Sequence, residues 1–256
     1  MFNPKTDRIK RLAEIFPDQI AALKEIMSGT TCVYIDLSNA MHWQNKLNWH
    51  LHLHRIKQLF DSFDTVKKVR LYVGTLKGNE KSENTIKEYE QWGYDVKTKP
   101  VKIMNISIDA SSIASNSPIL LQRFIRKALL EKLSLETIEF LNQKLVELNK
   151  QGILFIEDKK CNFDVEIGRH MLEDIEKNSV ENFILWSTDS DFTDPIEQIL
   201  SDGKNAFVFA TAGRVSSELD DLKVPIFEVK KIKEFICWPR ELPEEIRKKL
   251  ELEKEL

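Results

Sequence analysis

The chain has 256 residues, 42% of them hydrophobic and 31% charged, with a net charge of −3. This is enough chain to bury one large core, or a core carrying an insertion, and the composition is that of a soluble folded protein rather than a disordered one. The slightly acidic balance excludes a globally basic nucleic-acid coat, although carboxylates that hold metal would count against any positive charge. No apolar run approaches the length of a bilayer span, so no membrane partner is expected. The start, Met1-Phe2-Asn3-Pro4-Lys5, lacks the apolar core of a signal peptide. Cys32, Cys161 and Cys237 lie far apart with no CxxC pair, which reads as reduced thiols in a cytoplasmic protein.

Residues 5–28 have helical spacing in Ile9, Leu12, Ile15, Ile20, Leu23 and Ile26, interrupted at Pro17 and ended by Ser28-Gly29. They are expected to form a helical arm, residues 1–29, before the main sheet. Thr31-Cys32-Val33-Tyr34-Ile35 is β-rich and almost wholly apolar, as a central strand should be. It delivers Asp36 to the strand end, followed by Leu37-Ser38-Asn39. An Asp there serves as a metal ligand or nucleophile, or else Asp36, Ser38 or Asn39 merely caps a helix. The segment approaches a DxSxS metal pattern, but Ala40 replaces the last serine.

His42, His50, His52 and His54 crowd the next stretch with Trp43 and Trp49. No Cys or acidic ligand spacing accompanies them, so surface histidines leading into a helix over residues 56–63 are expected rather than a zinc site. Val69-Arg70-Leu71-Tyr72-Val73-Gly74 is a second strand, residues 81–92 a helix, and Tyr94-Asp95-Val96 opens a third strand running out through Lys97, Lys99, Pro100 and Lys102. Strands alternating with helices imply right-handed crossovers and a parallel sheet. Positive residues dominate from Lys67 to Lys102. That stretch either meets a phosphate backbone or is a solvated face.

Residues 105–150 break the rhythm. Ser117-Pro118 opens an amphipathic pattern through Ile119, Leu120, Phe124, Ile125, Leu129 and Leu133, and Ser134 caps a second helix through Leu135, Ile138, Leu141, Leu145 and Leu148. The expectation is an inserted αα-hairpin that packs on the sheet, makes a dimer contact, or acts as a lid. Ile153-Leu154-Phe155-Ile156 is a further apolar run. It leads to Lys159-Lys160-Cys161-Asn162-Phe163-Asp164, where Asp164 starts a helix as cap or ligand.

Phe183-Ile184-Leu185-Trp186 reads as a buried strand that ends in Ser187-Thr188-Asp189-Ser190-Asp191-Phe192. Asp194-Pro195 then supplies a cap and a first helical proline. Ligands and catalytic groups collect beyond the carboxyl ends of such strands. Two carboxylates one residue apart are costly unless a cation or a proton relieves them. A solvated turn is the plainer reading of the same residues. Ala206-Phe207-Val208-Phe209, a turn at Gly213, a helix capped by Ser216 and a last strand over residues 225–229 follow. Residues 237–256 form a charged helical tail.

Taken in order, Asp36-Leu37-Ser38-Asn39, Tyr94-Asp95-Val96-Lys97 with Lys99-Pro100, Lys160-x-Asn162-x-Asp164-Val165-Glu166, Ser187-x-Asp189-Ser190-Asp191-Phe192 and Gly203-Lys204 with Gly213-x-x-Ser216 resemble the NYN domain, a branch of the PIN-like nucleases. The resemblance covers about residues 30–104 and 153–236. It implies an α/β, Rossmann-like (PIN-like) parallel sheet flanked by helices, within a domain over residues 30–236 that carries the inserted hairpin. It further implies a carboxylate pocket for Mg2+ or Mn2+, with Asp36, Asp164, Asp189 and Asp191 as metal-holding and catalytic residues. Asn39, Ser187, Lys99, Lys160 and Arg214 become candidate substrate contacts, and Lys102 and Lys159 weaker ones. Clustered carboxylates suit hard cations that activate water and stabilise a leaving oxygen. Relatives carry another acidic residue where this chain has His170, a change that removes charge and suits magnesium poorly.

The resulting expectation is a metal-dependent endoribonuclease acting on single-stranded or structured RNA. DNA remains open as a substrate, and the insertion is a candidate homodimer contact. The alternatives are a catalytically weak NYN-like module that binds RNA or protein, and a small-molecule phosphohydrolase.

Overall fold

The computed structural model describes residues 1–177, 179–211 and 215–251. The chain divides into two compact units, residues 1–100 with 161–256, and residues 101–160. In chain order the strands are β1 (Thr31–Asp36), β2 (Val66–Thr75), β3 (Asp95–Pro100), β4 (Lys102–Ser107), β5 (Phe155–Lys160), β6 (Asn182–Trp186), β7 (Asn205–Ala210) and β8 (Ile226–Glu228).

Six of these form one parallel sheet in the order β3-β2-β1-β6-β7-β8. Every residue of β1 and β6 is buried, which is why these two stretches carry no alternation of polar and apolar residues. Their side chains still alternate between faces. Val33, Ile35, Ile184 and Trp186 join one core with Leu12, Leu23, Ile56, Phe60 and Phe235, whereas Cys32, Tyr34, Phe183 and Leu185 join a second core with Ile167, Met171, Phe192 and Ile196. The N-terminal helices, Asp7–Ile15 and Pro17–Ile26, contribute Leu12, Ile20 and Leu23 to the first core. The Thr6 hydroxyl caps the first of them, and Pro17 opens the second where its missing N–H costs nothing.

The chain builds outward from β1 to β2 and β3, then returns to lay β6 on the other side of β1. Strand order therefore reverses between β1 and β6, and the crevice beyond their carboxyl ends is the place such sheets use for ligands. Asp36 ends β1, and Ser187 to Asp191 follow β6.

In the second unit β4 and β5 form a separate antiparallel ladder from Lys102↔Lys160 to Ser107↔Phe155. The helix expected after Ser134 is present as Leu135–Lys150, with the Ser134 hydroxyl accepting from the Thr137 amide at 3.2 Å. Its expected partner helix is not continuous. Residues 117–133 instead hold a 3-10 turn, Leu121–Arg123, and a single helical turn, Lys127–Leu130. The break at Phe124-Ile125-Arg126, two of them poor helix formers, lets Leu120, Leu121 and Leu130 all turn inward. The apolar run Ile153 to Ile156 stays between 42% and 51% exposed.

In the first unit, the helix after the Ser190–Phe192 turn begins at Thr193, so Pro195 lies within its first turn rather than at its first position.

Candidate active site

Asp36 is held at the end of β1 with only 8% of its surface exposed. Its carboxylate accepts from the Asn39 amide at 3.2 Å, so it does cap the helix Leu37–Gln44, and it also takes a hydrogen bond from the Ser187 hydroxyl. Burial pushes the Asp36 carboxyl up; the amides of Asn39 and Ser38 and the Ser187 hydroxyl oppose this, while the charge of Asp189 adds to it. Capping and closeness to a second carboxylate thus coexist at one residue.

Beyond β6, the Asp189 carboxylate accepts from the Asp191 amide at 3.3 Å and so shapes the turn that presents both side chains. The Asn39 side-chain oxygen accepts from the Thr188 amide at 3.4 Å, tying the end of β1 to the end of β6. The Asp164 amide donates to Asn162 at 2.8 Å, at the start of the helix Asp164–Lys177. The Asp164 carboxyl is pushed up to about 6, first by burial, then by a hydrogen bond to Asp191 and the charges of Asp189 and Asp191, against a lowering contact from Asn162. A carboxyl that shares a hydrogen bond with another carboxylate holds a proton between them.

Asp36 is therefore coupled to Asp189, Asp189 to Asp164, and Asp164 to Asp191. Asp164 and Asp191 line an open cleft of about 910 Å³; Asp36 and Asp189 lie outside its lining. Lys99 lines the same cleft, its ammonium 2.6 Å from Glu166 and 3.1 Å from the Asn162 carbonyl.

Glu166 is a participant that the sequence reading quoted in a motif without assigning a role. Its Oε1 pairs with Lys99, while its Oε2 is buried without a hydrogen-bond partner among the described residues. The oxygen-only set of Asp36, Asp164, Asp189 and Asp191, whose charges oppose one another, fits a hard divalent cation in its chemistry. Among the described residues, no three His, Cys, Asp or Glu side chains stand close enough together to enclose an ion.

His170 lies apart from these contacts. Tyr72 Oη is 2.9 Å from its Nδ1 and Arg169 Nη2 is 3.1 Å from its Nε2. Arginine only donates, so Nε2 accepts and the proton sits on Nδ1 of a neutral ring. Burial, followed by the positive charges of Arg70, Arg169 and Lys97, lowers the imidazole.

The same helix is pinned to the sheet by a buried ionic cluster that the sequence reading missed. Asp174 accepts from both terminal nitrogens of Arg70 and from the Tyr34 hydroxyl at 2.5 Å, and Arg70 Nε reaches Asp95 at 3.1 Å. The available signal was a charged residue inside the apolar run of β2.

Lys160 belongs to β5 in the second unit, where Lys102 is its cross-strand partner and Lys159 its neighbour. Arg214, with the Gly213 turn, lies outside the described residues. His54 stacks on Trp92 at 4.9 Å, His52 lies 4.2 Å from Trp238, and His50 pairs with Glu241 at 2.6 Å.

The family model for the NYN domain matches residues 115–223. This span contains Asp164, Asp189 and Asp191 and much of the second unit, and it begins after Asp36, Asn39 and Lys99. A crystal structure of a protein of unknown function from Vibrio parahaemolyticus is similar at 15% identity and a TM-score of 0.47, over 80% of this chain and 94% of that one. No curated protein matches the chain. No helix among the described residues is long and apolar enough to cross a membrane.

Proposed function

From residues 115–223, which match the NYN domain family of the PIN-like nuclease superfamily, we propose that this protein is a divalent-metal-dependent ribonuclease that cleaves RNA phosphodiesters internally. The observation that carries this reading is the coupling of Asp36, Asp189, Asp164 and Asp191 at the crevice where strand order reverses. Asp36, Asp164, Asp189 and Asp191 would hold Mg2+ or Mn2+, with Glu166 beside them. Such a cation, when bound, lowers the pKa of water and stabilises a departing oxygen.

The remaining work falls to the chain. The Ser187 hydroxyl and the Asn39 amide orient the Asp36 carboxylate. The Asn39 side chain fixes the Thr188 amide and with it the turn that bears Asp189 and Asp191. Lys99, held by Glu166, supplies positive charge beside the cleft for a phosphate. We place the protein in the cytoplasm. We also assign the exposed Ile119, Phe124, Leu129 and Phe140 of the second unit to a contact between two copies of the chain.

A second reading, a catalytically weak module that binds RNA or protein, is favoured by the commitment of both His170 nitrogens to Tyr72 and Arg169. Incubation of the protein with labelled single-stranded and structured RNA, with and without manganese or magnesium, separates the two. The first reading expects metal-dependent internal cleavage that is lost in Asp191→Asn. Cleavage undiminished in that variant sinks the role of the carboxylates, and binding without cleavage under every metal condition selects the second reading.

A further inference from the structure

The cleft lined by Asp164 and Asp191 is of mixed character. Its lining holds the carboxylates of Asp164, Asp191 and Asp194 and the Lys99–Glu166 pair, and with them the apolar Val165, Leu172 and Pro195. Val165 is 79% exposed and Leu172 38% exposed, although both belong to a helix whose other face supplies Ile167 and Met171 to the core. They lie seven residues apart, two helical turns, and so share one side of that helix. Gly168 lies between them. A Cβ added there would come no nearer than 3.5 Å to the Pro195 ring, so the helix carries no side chain where the two apolar residues flank the floor. Gln198 also lines the cleft, its amide nitrogen 3.0 Å from Asp202.

We propose that this apolar stretch is a nucleobase subsite: it takes the base of a nucleotide adjoining the phosphate that lies at the carboxylates, with the base splayed out of a single strand. The inference rests on the nuclease reading of the same cleft and adds what that reading leaves open, the form of the substrate. Three observations select this occupant. Apolar and charged residues line one cleft, as a nucleotide is itself an apolar plane joined to a charged group. A volume of about 910 Å³ lies within the range of small-ligand sites. Enzymes that must hold an unstacked base do so between apolar side chains, with polar groups at the base edge, and Gln198 is a polar group of this lining. A base paired in a duplex cannot enter, so the subsite makes single-stranded RNA, or a loop, the preferred substrate.

The test uses the full chain carrying Asp191→Asn, so that RNA is bound without being consumed. Two fluorescein-labelled probes are compared by anisotropy in manganese: a mixed-sequence RNA decamer and the same ribose-phosphate chain without bases. The decamer is expected to bind at least about tenfold more tightly. Adding Val165→Gln and Leu172→Gln is expected to remove most of that difference while leaving the abasic affinity unchanged. Both positions are exposed enough to accept glutamine without loss of fold, which a thermal melt checks.

Equal affinity for the two probes, or a decamer affinity untouched by the paired glutamines, overturns the subsite. Hydrolysis of bis(p-nitrophenyl) phosphate by the unmutated chain in manganese is read in parallel. Because that compound carries no base, its failure as a substrate counts against the nuclease reading alone, and the anisotropy contrast still decides the subsite.

Discussion

The Tyr72 hydroxyl lies 2.9 Å from Nδ1 of His170, so this imidazole is anchored to β2 and not to the aspartates. With Arg169 donating to the other nitrogen, the ring is neutral in the folded chain, and its pKa is lowered. A folded pKa below the unfolded value means that the unfolded chain binds the proton first. This contribution to stability is present above the ordinary histidine value of 6.5 and is lost as pH falls through the lower folded value. Thermal melts between pH 5 and 7.5 should show stability falling on the acid side, and His170→Gln should flatten that fall. An equal slope in both proteins would show that another group carries it.

Asp164 has the opposite sign. Its carboxyl is raised from 3.8 to about 6, so without a cation the folded state loses stability as pH rises across that interval. A divalent cation would relieve the repulsion. Manganese should therefore raise the melting temperature more at pH 7.5 than at pH 5, with a stabilisation of about 2.7 kcal/mol at a concentration one hundred times its dissociation constant. Asp191→Asn removes a repelling neighbour, and it should shrink both the manganese effect and the pH dependence of the metal-free protein.

The buried Arg70–Asp174 pair is expected to hold the helix Asp164–Lys177 in register on the sheet. Asp174→Ala leaves the guanidinium with Asp95 as its carboxylate partner among the described residues and should cost about 3–5 kcal/mol in urea unfolding. Tyr34→Phe removes one hydrogen bond from the same carboxylate and should cost about 1 kcal/mol. Similar costs for the two variants would mean that the ion pair is not what holds the helix.

Ser187 touches Asp36 and is expected to orient it. Ser187→Ala should weaken manganese affinity, measured by calorimetry, by about 10–100-fold while the fold persists. Undiminished affinity would place the metal elsewhere.

Much of this arrangement is legible along the chain because it follows from local rules. The stretches 31–36 and 182–186 are apolar without alternation, which only a strand covered on both faces requires, and each ends in acidic or hydroxyl residues at the sheet edge. The helix after Ser134 announces itself through its cap and period. The segment 117–133 has the same period yet does not form one helix: Leu120, Leu121 and Leu130 are buried on either side of the break at residues 124–126, while Ile119, Phe124 and Leu129 stay exposed.

Other features depend on partners far away in the sequence. Arg70 and Asp174 are 104 residues apart, and no local pattern states that one neutralises the other. Nor does any local pattern state that Tyr72, 98 residues earlier, meets the ring of His170. The residue types and their periods set which segments become buried strands and where their carboxylates emerge. Packing of the helix Asp164–Lys177 against β1 and β2 settled which of its polar groups meet the aspartates and which are spent on the sheet, because that choice depends on the angle and register of two surfaces and not on the order of residues in either.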